Sequence, residues 1–400
     1  MQSGTGEFSY TLNSRVQALA LQRLHPMLQD VINHFKLPQD GIIRVADLGC
    51  SIGANTLNVA NVISSGLSTN GALEIQYFFN DLPTNDFNTL FQQLPSLDQV
   101  LGGNQNNDAG FFDPLKLNQS NTYESNFQLQ QPNLDFGKNT KEMEGETSTR
   151  LYYAAAVPGS FWERLFPSSS LHLIFSSNAL HWMTNFPKVI QDKTSSAYNK
   201  GQTYINDNNP KAFEACGGTF QKNLQKFFIH RATELVSGGI LILIFGGRWT
   251  NLPTAKINDG PPHPSEDNFI DVAEASWEDL ISKGLITTEL RDSINVPIYL
   301  PSMEEVRMAL DETNVFLIQK FEVRKQIASE VQGSLSEKSK LFDDIISNSW
   351  NAIYGEVLKV DIGEELANTY FQHLNQNLAK SDSKDWLNFM CEFLVVLVRK

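Results

Sequence analysis

The sequence predicts an α/β protein built on a parallel sheet, and two strands with polar ends carry that prediction. Residues Ile42–Leu48 form an apolar run of strand length, as expected where helices cover both faces of a parallel sheet. A turn with glycines at positions 49 and 53 follows, and the chain from Asn55 onward has helical spacing. A second strand, Glu74–Asn80, ends in Asp81. We therefore expect a strand-turn-helix unit at the start of the sheet.

The turn after the first strand predicts a cationic nucleoside ligand. Its pattern is D-x-G-x-x-x-G, starting at Asp47, whereas a dinucleotide turn is G-x-G-x-x-G. A carboxylate repels a pyrophosphate but attracts a ligand with an amino group and a ribose, which favours S-adenosylmethionine (SAM) over NAD. Asp81 stands where ribose hydroxyls are usually bound. A turn that binds nothing is the open alternative.

Composition limits the classes of partner. The chain has 400 residues, 41% of them hydrophobic, so one large domain or two smaller ones fit. A net charge of −14 argues against nucleic-acid and membrane partners, which favour a basic surface. Cys50, Cys216 and Cys391 show neither zinc spacing nor a disulfide framework. The polar N-terminal stretch and the short apolar runs predict a cytoplasmic protein with no membrane span.

Periodicity predicts the remaining elements. We expect helices over 12–35, 220–235, 269–283, 303–312, 340–353 and 363–379, and strands over 151–157, 171–175, 240–245, 315–323 and 389–398. Ser237, Gly238 and Gly239 are expected to stop the helix before them. The Asn- and Gln-rich stretch 102–150 predicts a disordered or loosely packed surface insertion. The predicted organisation is a core over 1–250, a helical cap over 251–388 with a returning strand, and a final core strand over 389–400.

Seven blocks of sequence resemble the plant SABATH methyltransferases. The blocks are GTGEFSYTLNSRVQ (4–17), ADLGCSIGAN (46–55), FNDLPTNDFN (79–88), VPGSFWERLFP (157–167), SSNALHW (176–182), NKG (199–201) and NVPIYLPS (295–302). The resemblance covers most of the chain, and the long insertion is its main departure. It implies a Rossmann-like class I SAM-dependent methyltransferase sheet with helices on both faces, plus an α-helical cap over the acceptor pocket. Members methylate small carboxylic acids or purine-alkaloid nitrogens.

The resemblance also implies site residues. Those expected to contact the cosubstrate are Tyr10, Ser14, Asp47, Cys50, Asn55, Asp81, Leu82, Ser160, Phe161 and Ser176. Gln17 and Trp182 are expected to donate hydrogen bonds to the acceptor carboxylate. Asn178, His181 and Trp350 depart from the salicylate-type pattern and leave the identity of the acid open. We expect a pocket wall of Phe269, Ile270, Tyr299, Trp350 and Met390, for each of which core packing is the competing interpretation.

Some SABATH members hold Mg2+ near the acceptor pocket. The matching residues here are Asn199, Asp292, Ile294 and Asn295, and the isoleucine is tolerable if only its carbonyl oxygen binds the metal. A polar loop junction without metal is an equally good interpretation. Members are commonly homodimers, so a homodimer is expected.

The predicted reaction is methyl transfer from SAM to the carboxylate of a small, benzoate- or cinnamate-like acid, giving a methyl ester and S-adenosylhomocysteine (SAH). A carboxylate with a pKa of about 4–5 is already ionised at neutral pH, so no catalytic base is needed and the protein only positions the reactants. One alternative is an N-methyltransferase of a purine-type alkaloid. Another is a ligand-binding protein that has lost turnover.

Overall fold

The computed structural model describes residues 13–38, 41–97, 149–206, 208–248, 269–325, 339–380 and 390–400. Nearly all of the predicted insertion, 102–148, lies outside these residues. The strands are β1 (Ile42–Leu48), β2 (Glu74–Asp81), β3 (Ser96–Leu97), β4 (Thr149–Arg150), β5 (Tyr153–Pro158), β6 (Leu171–Ser177), β7 (Leu235–Arg248), β8 (Phe316–Lys325) and β9 (Met390–Arg399).

Seven of these strands form one sheet in the order β5-β2-β1-β6-β7-β9-β8, while β3 and β4 pair separately. The strands from β5 to β7 in that order run parallel, and β9 runs antiparallel to both β7 and β8. Register pairs Leu48 of β1 with Asn80 of β2. The carboxyl ends of β1, β2, β5 and β6 therefore meet at one edge of the sheet, where ligands bind in open α/β sheets.

Helices cover both faces of the sheet. They are α1 (Arg15–Gln22), α2 (His25–Asn33), α3 (Ala54–Thr69), α4 (Phe87–Gln92), α5 (Pro210–Glu234), α6 (Phe269–Ser282), α7 (Thr288–Arg291), α8 (Met303–Thr313), α9 (Ser339–Ile362) and α10 (Glu364–Lys380). Val45 and Leu173 face a core shared with α1–α3, whereas Ala46 and Ile174 face a core shared with α5 and α8. This alternation follows from the two-residue period of a strand and confirms the predicted sheet with two covered faces.

A third apolar cluster lies outside the sheet and joins α6, α9 and α10. Trp277 of α6 stacks on Tyr370 of α10 at a centroid separation of 4.2 Å, and both rings are buried. Helix α8 instead packs on α5 through Val306 and Leu310. The cap thus consists of helices from two separate stretches of the chain, with α8 and β8 between them.

Two predicted elements were wrong in detail. The predicted helix over 12–35 is divided into α1 and α2, and Pro26 lies in the first turn of α2, where its missing N–H is harmless. Residues Ser237–Gly239 lie inside β7 rather than after a helix, because α5 already ends at Glu234. Gly238 has a φ of +77° beside a register shift between β6 and β7, so the glycine serves an irregularity in the strand.

Several helices are longer than their predicted spans. Helix α5 begins ten residues before the predicted start of 220, where the Asn209 side chain accepts a hydrogen bond from the Ala212 N–H. Helix α9 extends to Ile362 and ends next to Gly363, whose φ is +84°. Among the helices of the described residues, none is long and apolar enough to cross a membrane.

Candidate active site

The glycine turn after β1 is tied to the ends of two other strands. The Gly49 and Cys50 N–H groups both donate to the Asn80 carbonyl at 2.9 Å. The Asn80 side chain donates in turn to the carbonyls of Val157 at 2.7 Å and Gly159 at 3.0 Å. Asn80 is completely buried, and through its backbone carbonyl and its side chain this single residue joins the ends of β1, β2 and β5.

Gly49 is required at its position for two reasons. Its φ of +76° is a left-handed conformation that disfavours a side chain, and an added Cβ would lie 2.6 Å from the Ala179 Cβ. The Phe161 ring lies 3.6 Å from the same point. The bare turn therefore lets Phe161, a predicted adenine contact, approach the end of β1.

Asp47 is a buried carboxylate at the end of β1, with 3% of its surface exposed. Its Oδ2 accepts a hydrogen bond of 2.6 Å from the Thr56 hydroxyl. Burial raises the pKa of Asp47 to about 7, and the nearby Asp81 charge raises it further, while Thr56 opposes the shift. A cation placed beside this carboxylate would relieve both the desolvation and the repulsion.

Asp81, at the end of β2, accepts two peptide N–H groups at 2.7 Å, those of Ser51 and Leu82. Burial raises the pKa of Asp81, and these two donors oppose that shift. Each carboxylate oxygen can accept a second donor, so ribose hydroxyls remain compatible with this geometry. The Leu82 side chain is 50% exposed at the same edge, which leaves an apolar surface beside Asp81.

Other predicted cosubstrate residues hold the site together. The Ser176 hydroxyl, completely buried, donates to the Leu48 carbonyl at 2.8 Å and joins β6 to β1. The Asn55 amide donates to the Ser14 carbonyl at 3.2 Å and attaches the N-terminal segment to α3. Cys50 is buried, and burial raises the pKa of its thiol well above the usual range, so it stays neutral. Ser160 accepts from the Trp162 N–H, and Tyr10 lies outside the described residues.

Gln17 and Trp182 are the two residues predicted to bind the acceptor carboxylate. The Gln17 amide oxygen is buried and has no partner among the residues that the structure describes. The Trp182 backbone forms a β-bridge to Ile298. The Gln17 oxygen needs a hydrogen-bond donor and cannot bind a carboxylate, so only the NH2 group of the Gln17 amide could donate to an acceptor carboxylate.

His181, a predicted acceptor contact, is an uncharged imidazole. Its Nδ1 accepts from the Gly246 N–H at 3.3 Å, so the proton of the neutral ring lies on Nε2. Burial lowers the pKa of His181 to about 4, which keeps the imidazole uncharged at physiological pH. The adjacent Asn178 has a φ of +55°, and its N–H donates to the Ile244 carbonyl at 2.7 Å. The segment after β6 is thus fixed to β7.

Four rings of the cap form what we call the aromatic group: Tyr204, Phe269, Trp350 and Tyr354. Trp350 is stacked with Tyr204 at 6.2 Å, and Phe269 packs edge-on against Trp350 at 5.6 Å. Tyr354 lies 5.7 Å from Trp350. Ile270 packs against the same cluster. The sequence did not single out Tyr204 or Tyr354. For Tyr354 a signal was available, because it follows Trp350 by one helical turn on α9.

Backbone contacts connect the aromatic group to both predicted donors. Ile298 bridges Trp182, and the Val296 N–H donates to the Thr203 carbonyl, next to Tyr204. On the other side, the Ser349 hydroxyl, beside Trp350, donates to the Asn13 carbonyl at 2.6 Å. Residues next to the rings are therefore linked both to the segment that contains Trp182 and to the segment that leads to Gln17.

Tyr299 was expected in the pocket wall, but the structure packs it in the sheet core. Its ring lies 5.1 Å from Phe220 and 5.5 Å from Phe213, and its hydroxyl donates to Glu305 at 2.6 Å. Because its ring and hydroxyl are both occupied there, it does not join the aromatic group. The side chain of Met390, the last predicted wall residue, lies outside the described residues.

The predicted metal residues lie on two loops that the structure joins. The Asn199 amide donates to Asn295 Oδ1 at 3.1 Å, and the Gly201 N–H donates to Asp292 Oδ1 at 3.0 Å. Asn199 Oδ1 is buried and has no partner within the described part of the chain, which leaves one oxygen for a ligand. The same Asp292 oxygen accepts from Arg291 Nε at 2.8 Å. Ile294, which lies between Asp292 and Asn295 in the sequence, has a buried side chain. The described residues contain no group of three or more His, Cys, Asp or Glu suited to a metal.

Comparison with known proteins identifies the family to which the chain belongs. A family model described as SAM-dependent carboxyl methyltransferase matches residues 1–400. "Indole-3-acetate O-methyltransferase 1" of Arabidopsis thaliana is 31% identical over 396 residues, which cover 97% of this chain and 91% of that protein. "Probable caffeine synthase 2" of Camellia sinensis is 32% identical over 344 residues, covering 83% and 80%.

Among solved structures, "Loganic acid methyltransferase with SAH" superposes with a TM-score of 0.74 at 26% identity, covering 100% of this chain and 98% of that one. This match confirms the predicted class I methyltransferase fold, and the family model confirms the resemblance found in the sequence blocks. The chain belongs to the SABATH family of SAM-dependent carboxyl methyltransferases.

Proposed function

We propose that this enzyme methylates the carboxylate of a small, planar aromatic acid. The observation that carries the proposal is the aromatic group, whose neighbours in the chain contact the segments of Gln17 and Trp182. Stacked and edge-on rings provide flat apolar surface for a planar ligand. The Arabidopsis relative is named for indole-3-acetate, an acid of this kind, which supports placing it first among the candidates ahead of benzoate and cinnamate.

The two carboxylates at the sheet edge are the proposed contacts of the cosubstrate. Asp47 would take the ammonium of the methionine end, because its burial and raised pKa make a nearby cation favourable. Asp81 would accept the ribose hydroxyls, with Leu82 and Phe161 on the adenine. SAM, when bound, supplies a methyl group already activated by its sulfonium.

The protein's task is then to orient an anion. As the carboxylate oxygen forms its bond to the methyl carbon, the carbon–sulfur bond breaks and its electron pair passes to sulfur, so no proton moves. Gln17, Trp182 and His181 would hold the carboxylate through neutral donors, which fix its angle without neutralising its charge as a buried arginine would. Such positioning can supply about 7–11 kcal/mol of the barrier in the best cases.

A methyl-transfer assay with labelled SAM tests the proposal. We expect turnover with indole-3-acetate, benzoate or cinnamate, and a product that loses its methyl group in base, as an ester does. Gibberellic acid and loganic acid test non-aromatic acids of similar charge. Exclusive turnover of these two would overturn the aromatic proposal and leave the carboxyl chemistry standing. A base-stable product from a methylxanthine would instead establish the N-methyltransferase alternative.

Mg2+ is a second proposal for this site. Asn199 Oδ1, Asp292, Asn295 and the Ile294 carbonyl would supply the oxygen ligands that this hard ion prefers, and the unpartnered Asn199 oxygen supports it. Arg291 shares the Asp292 carboxylate and would weaken such a site. If the ion binds, Mg2+ should raise the unfolding temperature of the wild type but not of Asp292→Asn. Equal responses of the two proteins would argue for a metal-free loop junction. The homodimer and the cytoplasmic location stay predictions.

A further inference from the structure

We infer that Arg231 and Glu234, a buried ion pair on α5, are positioning residues for cosubstrate binding. They hold the loop Gly159–Pro167 against the glycine turn without touching the site themselves. The inference rests on the proposed contacts of Ser160 and Phe161 with the adenine. No feature of the sequence analysis pointed to either residue.

The Arg231 guanidinium holds the first half of the loop. Nη1 donates to the Phe161 carbonyl at 2.5 Å, and Nη2 donates to the Glu163 carbonyl at 2.8 Å. The guanidinium lies 5.1 Å from the centre of the Phe227 ring. A planar fork of donors is needed to reach two carbonyls and a carboxylate at once, and a lysine ammonium lacks that geometry.

Glu234 holds the second half of the loop. Its Oε1 accepts the Leu165 N–H at 2.6 Å and the Phe166 N–H at 3.1 Å. Its Oε2 lies 2.7 Å from Arg231 Nε, and both side chains are completely buried. Two oppositely charged side chains one helical turn apart thus bind four peptide groups of the loop.

The loop position matters because its ring side chains reach both halves of the site. Phe161 packs at the Gly49 turn, beside Asp47. Trp162 Nε1 donates to the Trp182 carbonyl at 3.2 Å, and its ring packs on Phe220 and Phe227 of α5. A loop that shifts away from α5 would carry Ser160 and Phe161 out of register with β1.

The two ends of the loop are attached independently of this pair. The Gly159 N–H donates to the Asp81 carbonyl at 2.8 Å, and the Ser170 N–H donates to the Glu234 carbonyl at 2.8 Å. These backbone bonds survive substitution of either side chain. The expected effect of a variant is therefore a displaced loop between fixed ends, which lowers affinity more than it disrupts the fold.

The test measures SAH affinity by calorimetry together with thermal stability. Arg231→Lys keeps the charge opposite Glu234 but loses the two loop carbonyls, and we expect the Kd for SAH to rise about tenfold. The matched control is Leu310→Ala on α8, which removes buried packing from the core shared with α5 and leaves the four hydrogen bonds to the loop in place. It should lower the unfolding temperature and leave the Kd for SAH unchanged.

A double variant guards against a protein that fails to fold. Arg231→Met with Glu234→Gln removes both buried charges together, and such neutral replacements usually stay folded. We expect near wild-type stability with the same loss of SAH affinity as Arg231→Lys. A loss of stability without a loss of affinity in either variant would overturn the inference. Failure of the wild type to bind SAH would instead overturn the proposed cosubstrate site, so the two failures are distinguishable.

Discussion

Burial disfavours the charged form of Asp47, whereas the proposed cationic ligand would favour it. Its folded-state pKa of about 7 lies above the ordinary value of 3.8, so the ionised form destabilises the ligand-free protein. The protonated form carries no such cost. The stability of the ligand-free protein is therefore highest, as far as Asp47 is concerned, below about pH 4, and it falls as the pH rises through about 7. A buried carboxylate that lowers stability in its charged form is consistent with the binding role proposed for Asp47.

The first prediction concerns Asp47→Asn. The amide keeps an oxygen for the Thr56 hydroxyl and carries no charge, so the ligand-free variant should be more stable at pH 8 by on the order of 2–4 kcal/mol. At pH 4 the gain should vanish. Denaturant unfolding at the two pH values measures it, and SAH should no longer stabilise the variant. A variant that loses stability at pH 8 would contradict the raised pKa.

The second prediction is a proton release on cosubstrate binding. Binding an ammonium beside Asp47 lowers its pKa, so the Kd for SAH should fall as the pH rises from about 5 to 7. At still higher pH the ligand's own amino group loses its proton and the affinity should decline again. Calorimetry in buffers with different ionisation heats measures the released proton directly. A Kd that stays constant between pH 5 and 7 is the contrary result.

The third prediction distinguishes the residues proposed to bind the acid from those proposed to bind the cosubstrate. Trp182→Phe keeps an aromatic ring and removes one N–H, and Gln17→Leu removes the amide at similar size. Each should lower kcat/KM for the acid by about tenfold or more, because a hydrogen bond to a charged group contributes about 1.5–3 kcal/mol. The Kd for SAH should change less than twofold. Wild-type kinetics in both variants would remove these residues from the site.

At the scale of elements, the glycine turn is the tightest contact between β1 and the segment after β6. The fourth prediction compares Gly49→Ala with Gly284→Ala. Both glycines have positive φ, +76° and +68°, but only Gly49 has a neighbour that an added Cβ would strike. Each change should lower stability by about 1–2 kcal/mol through its backbone.

Only Gly49→Ala should also abolish SAH binding and turnover, because its Cβ would displace Ala179 and the donors that follow it. Gly284→Ala serves as the control for backbone strain alone, since no atom lies within 4 Å of its added Cβ. Equal activity of the two variants would show that the turn tolerates a side chain. Calorimetry with SAH and the methyl-transfer assay supply the two readouts.

Which elements the sequence could predict follows from how local their signals are. The β1 turn was predictable because strand, acid and glycines lie within a dozen residues. Gly238 and Gly239 were misread because a glycine pair looks the same at a helix end and at a strand irregularity. Tyr299 was misplaced because its partners, Phe213, Phe220 and Glu305, come from other elements that periodicity cannot bring together.

The Arg231–Glu234 pair was missed for a different physical reason. Charges three residues apart on a helix normally indicate a solvated face. The contrary signal was the apolar neighbourhood of Phe227, Phe228 and Ala232, which marks this side of α5 as buried. A charged pair within an apolar helix face therefore indicates a buried ion pair.

At the scale of the whole molecule, residues 13–14 connect the sheet edge to the cap. Asn55 of α3 donates to the Ser14 carbonyl, and Ser349 of α9 donates to the Asn13 carbonyl. Two adjacent peptide groups thus bind the glycine-turn helix and the helix that contains Trp350. Residues 13–14 therefore link the helix that follows the glycine turn to the helix that contains part of the aromatic group.

The fifth prediction tests the link between α9 and residues 13–14 by substituting two serines of α9. Ser349→Ala removes the bond to Asn13, whereas Ser347→Ala removes a bond of 3.4 Å to the Phe371 carbonyl within the cap. We expect Ser349→Ala to raise the KM for the acid a few fold and to increase hydrogen exchange in α1, each bond contributing about 1 kcal/mol. Ser347→Ala should change neither. Identical behaviour of the two variants would separate the cap from residues 13–14.

The order of strands also has a consequence for how the chain is made. Strand β8 is synthesised before β9 but lies beyond it in the sheet, so β8 has no partner until β9 has left the ribosome. Until then β7 and β8 both present unpaired edges, which attract other chains. Nascent chains halted before Met390 should therefore depend on chaperones for solubility, and completion of translation should release that dependence.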